Sequence, residues 1–101
     1  MQRVIFTFSK TGLMKYISHL DLMRLLTRAM RRADLPLKFS EGFSPHPKLS
    51  IKRALKLGLE SENEEASILL KEDIDPEDFI NKLQKQLPEG IRIKDAKRDI
   101  N

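Results

Sequence analysis

SHLDLMRLLTRAMRRADLP, residues 18–36, carries a helix with both of its ends marked. Ser18 followed by Asp21 fits the S-x-x-D capping pattern, with Ser18 as cap and Asp21 reaching back from the first turn. Ile17 and Leu22 are placed to form a hydrophobic staple across the cap. Leu22, Leu25, Leu26, Ala29, Met30 and Ala33 recur at helical spacing and define the inward stripe. Asp34-Leu35-Pro36 stops the helix. Upstream, Val4, Phe6 and Phe8 alternate with Arg3, Ile5, Thr7 and Ser9, which predicts a half-buried strand with its aromatic face inward. Lys10-Thr11-Gly12 breaks that strand, and Leu13 to Ile17 is a short apolar approach to the helix.

The second half of the chain follows the same grammar. Asp75-Pro76-Glu77-Asp78 opens a helix with an Asp cap, a proline at the first position and acids in the first turn. Phe79, Ile80, Leu83 and Leu87 make its apolar stripe, Pro88-Glu89-Gly90 ends it, and Ile91 to Lys97 is a strand with Ile91 and Ile93 inward. Between the halves lie two further strands. One runs from Lys48 to Leu57, with Leu49, Ile51, Leu55 and Leu57 inward and Arg53 interrupting as a bulge or a salt-bridged arginine. The other runs from Glu65 to Glu72, with Ala66, Ile68 and Leu70 on one face, and Gly58 to Glu64 is a polar turn joining them.

The order β-α-β-β-α-β predicts an α+β, ferredoxin-like fold. Right-handed crossovers put both helices on one face of an antiparallel sheet with strand order 4-1-3-2. A length of 101 residues fits one domain, 1–101. Alternation leaves an open sheet face carrying Arg3, Ile5 and Thr7; Lys48, Ser50 and Lys52; Glu65, Ser67, Leu69 and Lys71; and Arg92 and Lys94. That face is expected to be mostly basic with a small apolar centre.

The segment Ser40-Glu41-Gly42-Phe43-Ser44-Pro45-His46-Pro47-Lys48 connects the first helix to the second strand. Its two prolines fix their own φ and push Ser44 and His46 toward extended conformations, so part of the ordering entropy is removed before any partner arrives. Stiff loops on a rigid scaffold often carry function, and this one concentrates Glu41, Phe43, His46 and Lys48. The alternative is a rigid connector whose Phe43 plugs the core.

With 40% hydrophobic and 34% charged residues, the composition is that of a water-soluble globular chain. The chain lacks an apolar run long enough to span a bilayer and a signal-peptide core, so no membrane partner is expected and the cytoplasm is the expected compartment. Without cysteine the chain can form no disulfide, thiolate metal site or iron–sulfur cluster of its own. The net charge of +4 conceals an asymmetry: residues 1–56 hold 12 Lys/Arg against 3 Asp/Glu, and residues 57–101 hold 7 against 12. A basic half beside an acidic half suits either a nucleic-acid footprint or a docking dipole. Arg24, Arg28 and Arg32 recur at i, i+4 along one stripe, with Arg31 beside them, and their mutual repulsion is relieved by an anion or an acidic surface.

His19 and His46 are the two histidines, and even with Asp21 and Glu41 they lack metal-ligand spacing, so no metal is expected. Phosphate-cradling and nucleophile-elbow glycine motifs are absent. A ferredoxin-like sheet can read single-stranded RNA by stacking bases on aromatics, but here the open face offers Ile5 and Leu69. Phosphate contact by Arg24, Arg28, Arg31, Lys48 and Lys52 stays open.

The blocks F-S-K-T-G, S-H-L-D-L-M-R, R-R-A-D-L-P-L and S-E-G-F-S-P-H-P-K-L-S occur in that order. With them the chain resembles the bacterial radical-SAM-linked domain of unknown function, and the likeness continues through ALKLGLESENE and the D-P-E-D-F helix. The resemblance implies an accessory module without chemistry or cofactor of its own. Its partner would be a radical SAM protein holding any iron–sulfur cluster. Family members usually run longer, so 1–101 is expected to be the N-terminal part of a longer member. The blocks would form one binding surface from Lys10, Ser18, His19, Asp21, Arg24, Arg28, Glu41, Phe43, His46 and Lys48. The competing reading is an RNA-binding or RNA-processing domain using the basic helix and loop, with His19 or His46 as general acid–base.

Overall fold

The computed structural model describes residues 1–54 and 56–99. The chain runs β1 (Gln2–Lys10), a short 3-10 helix (Gly12–Tyr16), α1 (His19–Arg32), β2 (Leu49–Ile51), β3 (Ser61–Leu70), α2 (Pro76–Gln84) and β4 (Ile91–Asp99). The four strands form one sheet in the order β2-β3-β1-β4, with every pairing antiparallel. Read from the other edge, this is the order inferred from the sequence, and it is compatible with a ferredoxin-like fold.

Alternation decides which side of the sheet is filled. Val4, Phe6 and Phe8 of β1, Ala66, Ile68 and Leu70 of β3, and Ile91, Ile93 and Ala96 of β4 are buried. They pack in one cluster with Leu22, Leu26, Ala29 and Met30 of α1 and with Phe79 and Leu83 of α2. Both helices therefore lie on one face. Phe6 is the centre of that core, with the Phe8 ring 6.1 Å and the Phe79 ring 5.5 Å away in tilted geometry.

The helix ends follow from their caps. Ser18 Oγ accepts a hydrogen bond from the Asp21 amide at 3.1 Å, and Asp75 accepts from the amides of Glu77 and Asp78. Asp21 does not reach back, as its place in the S-x-x-D pattern suggested. Its short carboxylate pairs outward with Arg24 at 3.6 Å. At its other end α1 closes through Asp34, which takes φ +58°, while the Leu35 amide returns to the Met30 carbonyl at 3.3 Å.

Three expectations are corrected. β2 holds only three residues, not the ten from Lys48 to Leu57. Beyond Ile51 the chain is diverted by Arg53, which turns to Glu64. Leu57, expected inward, is 64% exposed, and Leu55 lies outside the described residues. Next, β4 carries a register shift opposite Thr7 and Phe8. It brings Asp95, Lys97 and Asp99 opposite Thr7, Ile5 and Arg3, so Asp95 and Asp99 join Glu65 on the open face. Three acids thus stand among the basic residues of that face where alternation placed one, and Lys52 pairs with Glu65 at 3.8 Å. Lastly, a register shift between Phe8 and Lys10 against β3 buries Phe8, Ser9 and Lys10 in succession, so β1 continues through Lys10. Among the described residues no helix is long and apolar enough to cross a membrane.

Candidate functional site

The loop after α1 is built as a closed neck with a free tip. At the neck the Ser40 amide donates to the His46 carbonyl at 2.8 Å. The His46 amide returns a bond to Ser40 Oγ at 3.2 Å, and Phe39 bridges to Pro47. Pro47 is buried. The His46 ring is held by its Nδ1, 3.2 Å from Ser40 Oγ and 3.1 Å from the Ser44 carbonyl oxygen. A carbonyl can only accept, so Nδ1 carries the hydrogen and Nε2 of the neutral ring keeps its lone pair. Glu41 is exposed at the tip. Phe43 does not plug the core, because it stands wholly in solvent. Lys48 is exposed beyond the neck, and its amide donates to the Lys38 carbonyl at 3.2 Å.

His46 leans over α1 rather than over the helix start. It lines a groove of about 360 Å³ with Met23, Arg24, Thr27, Arg28 and Arg31. On the far side of Arg28 lies a second groove of about 400 Å³, lined by Ile17, Asp21, Leu25, Arg28, Arg32, Gln86, Leu87 and Pro88. Arg28 is thus the wall between two hollows. The arginines are oriented to different degrees. Arg31 lies over the Phe39 ring at 5.5 Å, Arg32 donates to the Gln86 carbonyl at 3.5 Å, and Arg24 has Asp21.

Four of the residues singled out from the sequence gather at or beside the N-terminal end of α1. Ser18 is occupied with the cap, and Asp21 pairs with Arg24 and lines the second groove. His19 begins α1 half-buried, its Nδ1 enclosed and without a hydrogen-bond partner among the described residues. Lys10 cannot meet a partner: it is fully buried, and its Nζ donates to the Ile17 carbonyl at 3.1 Å, just ahead of the cap. Burial lowers the Lys10 pKa, against the opposing attraction of the nearby Glu64 carboxylate. Glu64, itself buried, accepts Arg53 Nε at 3.2 Å and Nη2 at 2.8 Å, and Ser61 Oγ at 2.5 Å. The Arg53 bonds hold its pKa below the ordinary glutamate value despite desolvation. So the structure brings Arg24, Arg28 and His46 together, with Glu41, Phe43 and Lys48 on the adjoining loop and Asp21 on the far side of Arg28, while Lys10, Ser18 and His19 line neither groove.

Sequence reasoning missed a third surface. Leu13, Tyr16, Leu20, Leu57 and Leu59 are all at least half exposed. The first two belong to the 3-10 helix and the last two to the turn before β3. These segments are tied by the Gly58 amide bonding to the Lys15 carbonyl at 2.7 Å and the Gly12 amide to Glu60 Oε2 at 2.8 Å. The available signal was two leucines flanking Gly58 in an otherwise polar turn, with no periodic face to place them on.

Among the described residues no three of His, Asp and Glu converge on a common point that could hold a metal ion. No curated protein matches the chain. A family model does match it over residues 3–99, nearly its whole length, and the chain belongs to that family, DUF2344, uncharacterized proteins conserved in bacteria.

Proposed function

We propose that this domain is an accessory binding module that docks on a radical SAM enzyme and supplies no chemistry of its own. The radical SAM link rests on the resemblance of the four sequence blocks. The observation that supports docking is the apolar end of the domain. Leu13, Tyr16, Leu57 and Leu59 stand on two segments tied by the Gly58–Lys15 backbone bond and by the Gly12 amide on the Glu60 carboxylate, yet remain in water. Large exposed apolar patches mark protein interfaces, and an aromatic within such a patch is a typical anchor. The ordering of this surface is complete before contact, which lowers the entropic cost of association.

The test is calorimetric titration of the chain into the radical SAM protein encoded by the same organism. Binding is expected, and Tyr16→Asp together with Leu57→Asp should weaken it at least tenfold without shifting the thermal midpoint. Absence of binding by the unaltered chain overturns the proposal.

A further inference from the structure

We propose that the ridge formed by Arg24, Arg28, Arg31 and Arg32 binds single-stranded RNA, with phosphates in the two grooves beside Arg28 and an unpaired base against Phe43. The site shares no residue with the apolar docking end and goes beyond the accessory role.

Charge and shape give the class of ligand. Four guanidinium groups on two successive turns meet one carboxylate, Asp21, which engages only Arg24, and Glu41 stands at the loop tip. Arginine matches phosphate oxygens with a planar fork of donors. One phosphate cannot occupy both sides of Arg28, so a ligand that fills both grooves carries phosphates in series. Four residues of helix advance about 6 Å, close to the step between neighbouring phosphates on an extended strand. Each groove also has an apolar part, Met23 in one and Leu25 with Leu87 in the other. Phe43, on the same loop as His46, offers both ring faces to solvent. Aromatic stacking is the usual means of holding unpaired bases without regard to sequence.

His46 favours RNA over DNA. Beside three guanidinium groups and the Thr27 hydroxyl, the His46 ring in its neutral form, fixed through Nδ1, presents Nε2 as an acceptor. A ribose 2′-hydroxyl is the donor that distinguishes RNA from DNA.

The experiment is fluorescence anisotropy of labelled 12-nucleotide RNA and DNA strands of one sequence, titrated with the full chain from 50 to 200 mM salt. For RNA, log K should fall against log salt with a slope near −0.7 for each phosphate engaged, so about −2.8 for four. Arg28→Gln should weaken RNA binding and reduce that slope by about 0.7. Phe43→Ala should weaken it roughly fivefold or more. RNA should bind roughly three- to tenfold tighter than DNA, and His46→Ala should erase the difference. Tyr16→Asp should leave RNA affinity unchanged, which separates this site from the docking end. All these side chains are exposed, so circular dichroism should show the fold intact. The inference is overturned by failure of RNA to bind at 50 mM salt, by an Arg28→Gln slope equal to that of the parent, or by DNA binding as tightly as RNA. Equal displacement of RNA by polyglutamate also overturns it, since the ridge would then be a receptor for acidic protein.

Discussion

Lys10 and Glu64 show how two charged side chains can be carried on the inward face of a sheet. By the alternation of Val4, Phe6 and Phe8, Lys10 falls on the inward face, and β1 continues far enough to bury it there. A buried charge is tolerated when it is paired and hydrogen-bonded. Here the Ile17 carbonyl accepts from Lys10, and Glu64 supplies the negative charge nearby. The salt-bridged Arg53 was legible as an interruption of a leucine pattern, but Glu64 as its partner was not, because the pairing is set by strand register. Glu64→Gln keeps the shape and removes the charge, and should cost about 1–3 kcal/mol in urea unfolding. Adding Lys10→Met should recover part of that loss by removing the uncompensated ammonium, a coupling that a double-mutant cycle measures. The pH dependence follows from the direction of the Glu64 shift. A carboxylate with a lowered pKa in the folded state contributes stability that is fully present above its unfolded value, about 4.3, and is lost as pH falls through the folded value. Unfolding midpoints between pH 5 and pH 3 should therefore fall more steeply for the parent than for Glu64→Gln.

Elements with marked ends were the most readable. Ser18 and Asp75 sit at the caps of α1 and α2 as their sequence patterns indicated, and their apolar stripes face the core. Ser18→Ala should lower stability by about 1 kcal/mol, read as a shift in the denaturation midpoint with an unchanged m-value. β2 was overestimated because its alternation of leucine and lysine imitates a longer strand. Three residues form the ladder, and a last bond from the Lys52 amide to the Glu65 carbonyl at 2.9 Å precedes the turn of Arg53 to Glu64. The turn into β4 is stricter than its Pro-Glu-Gly sequence suggests. Gly90 takes φ +98°, and an added Cβ would stand 2.6 Å from the Thr11 carbonyl oxygen and 2.7 Å from Met14 Cγ. The Thr11 amide also donates to the Gly90 carbonyl at 2.8 Å, so the turn and the 3-10 segment hold one another. Gly90→Ala combines a disfavoured conformation with a backbone clash, and should cost roughly 2 kcal/mol or more, with a matching fall in the thermal midpoint.

At the scale of the whole molecule, the duplicated strand–helix–strand grammar was enough to place both helices on one face and to order the strands. It placed the charges only in part. The open face, read by alternation as mostly basic, also takes up Asp95, Lys97 and Asp99 once β4 shifts register. The arginine ridge was legible as an i, i+4 stripe on α1, but the loop that brings His46 over it was not, because that contact joins segments no local pattern relates. The same holds for the apolar end, which exists only because the turn at Gly58 folds back onto the 3-10 helix.

The central position of β1 has a consequence for how the protein is made. Phe6 pairs with Ala66 and with Ala96, 60 and 90 residues further along. At about 5–20 residues per second, β1 is synthesised roughly 3–12 seconds before its first neighbour, and longer before its second. During that interval Val4, Phe6 and Phe8 have α1 to lie against but no strand on either edge. A nascent chain arrested after residue 60 should be cut readily by protease within β1, whereas one carrying β4 clear of the exit tunnel should resist. Of the four strands β1 is thus the one that waits longest for its neighbours within reach of ribosome-bound chaperones.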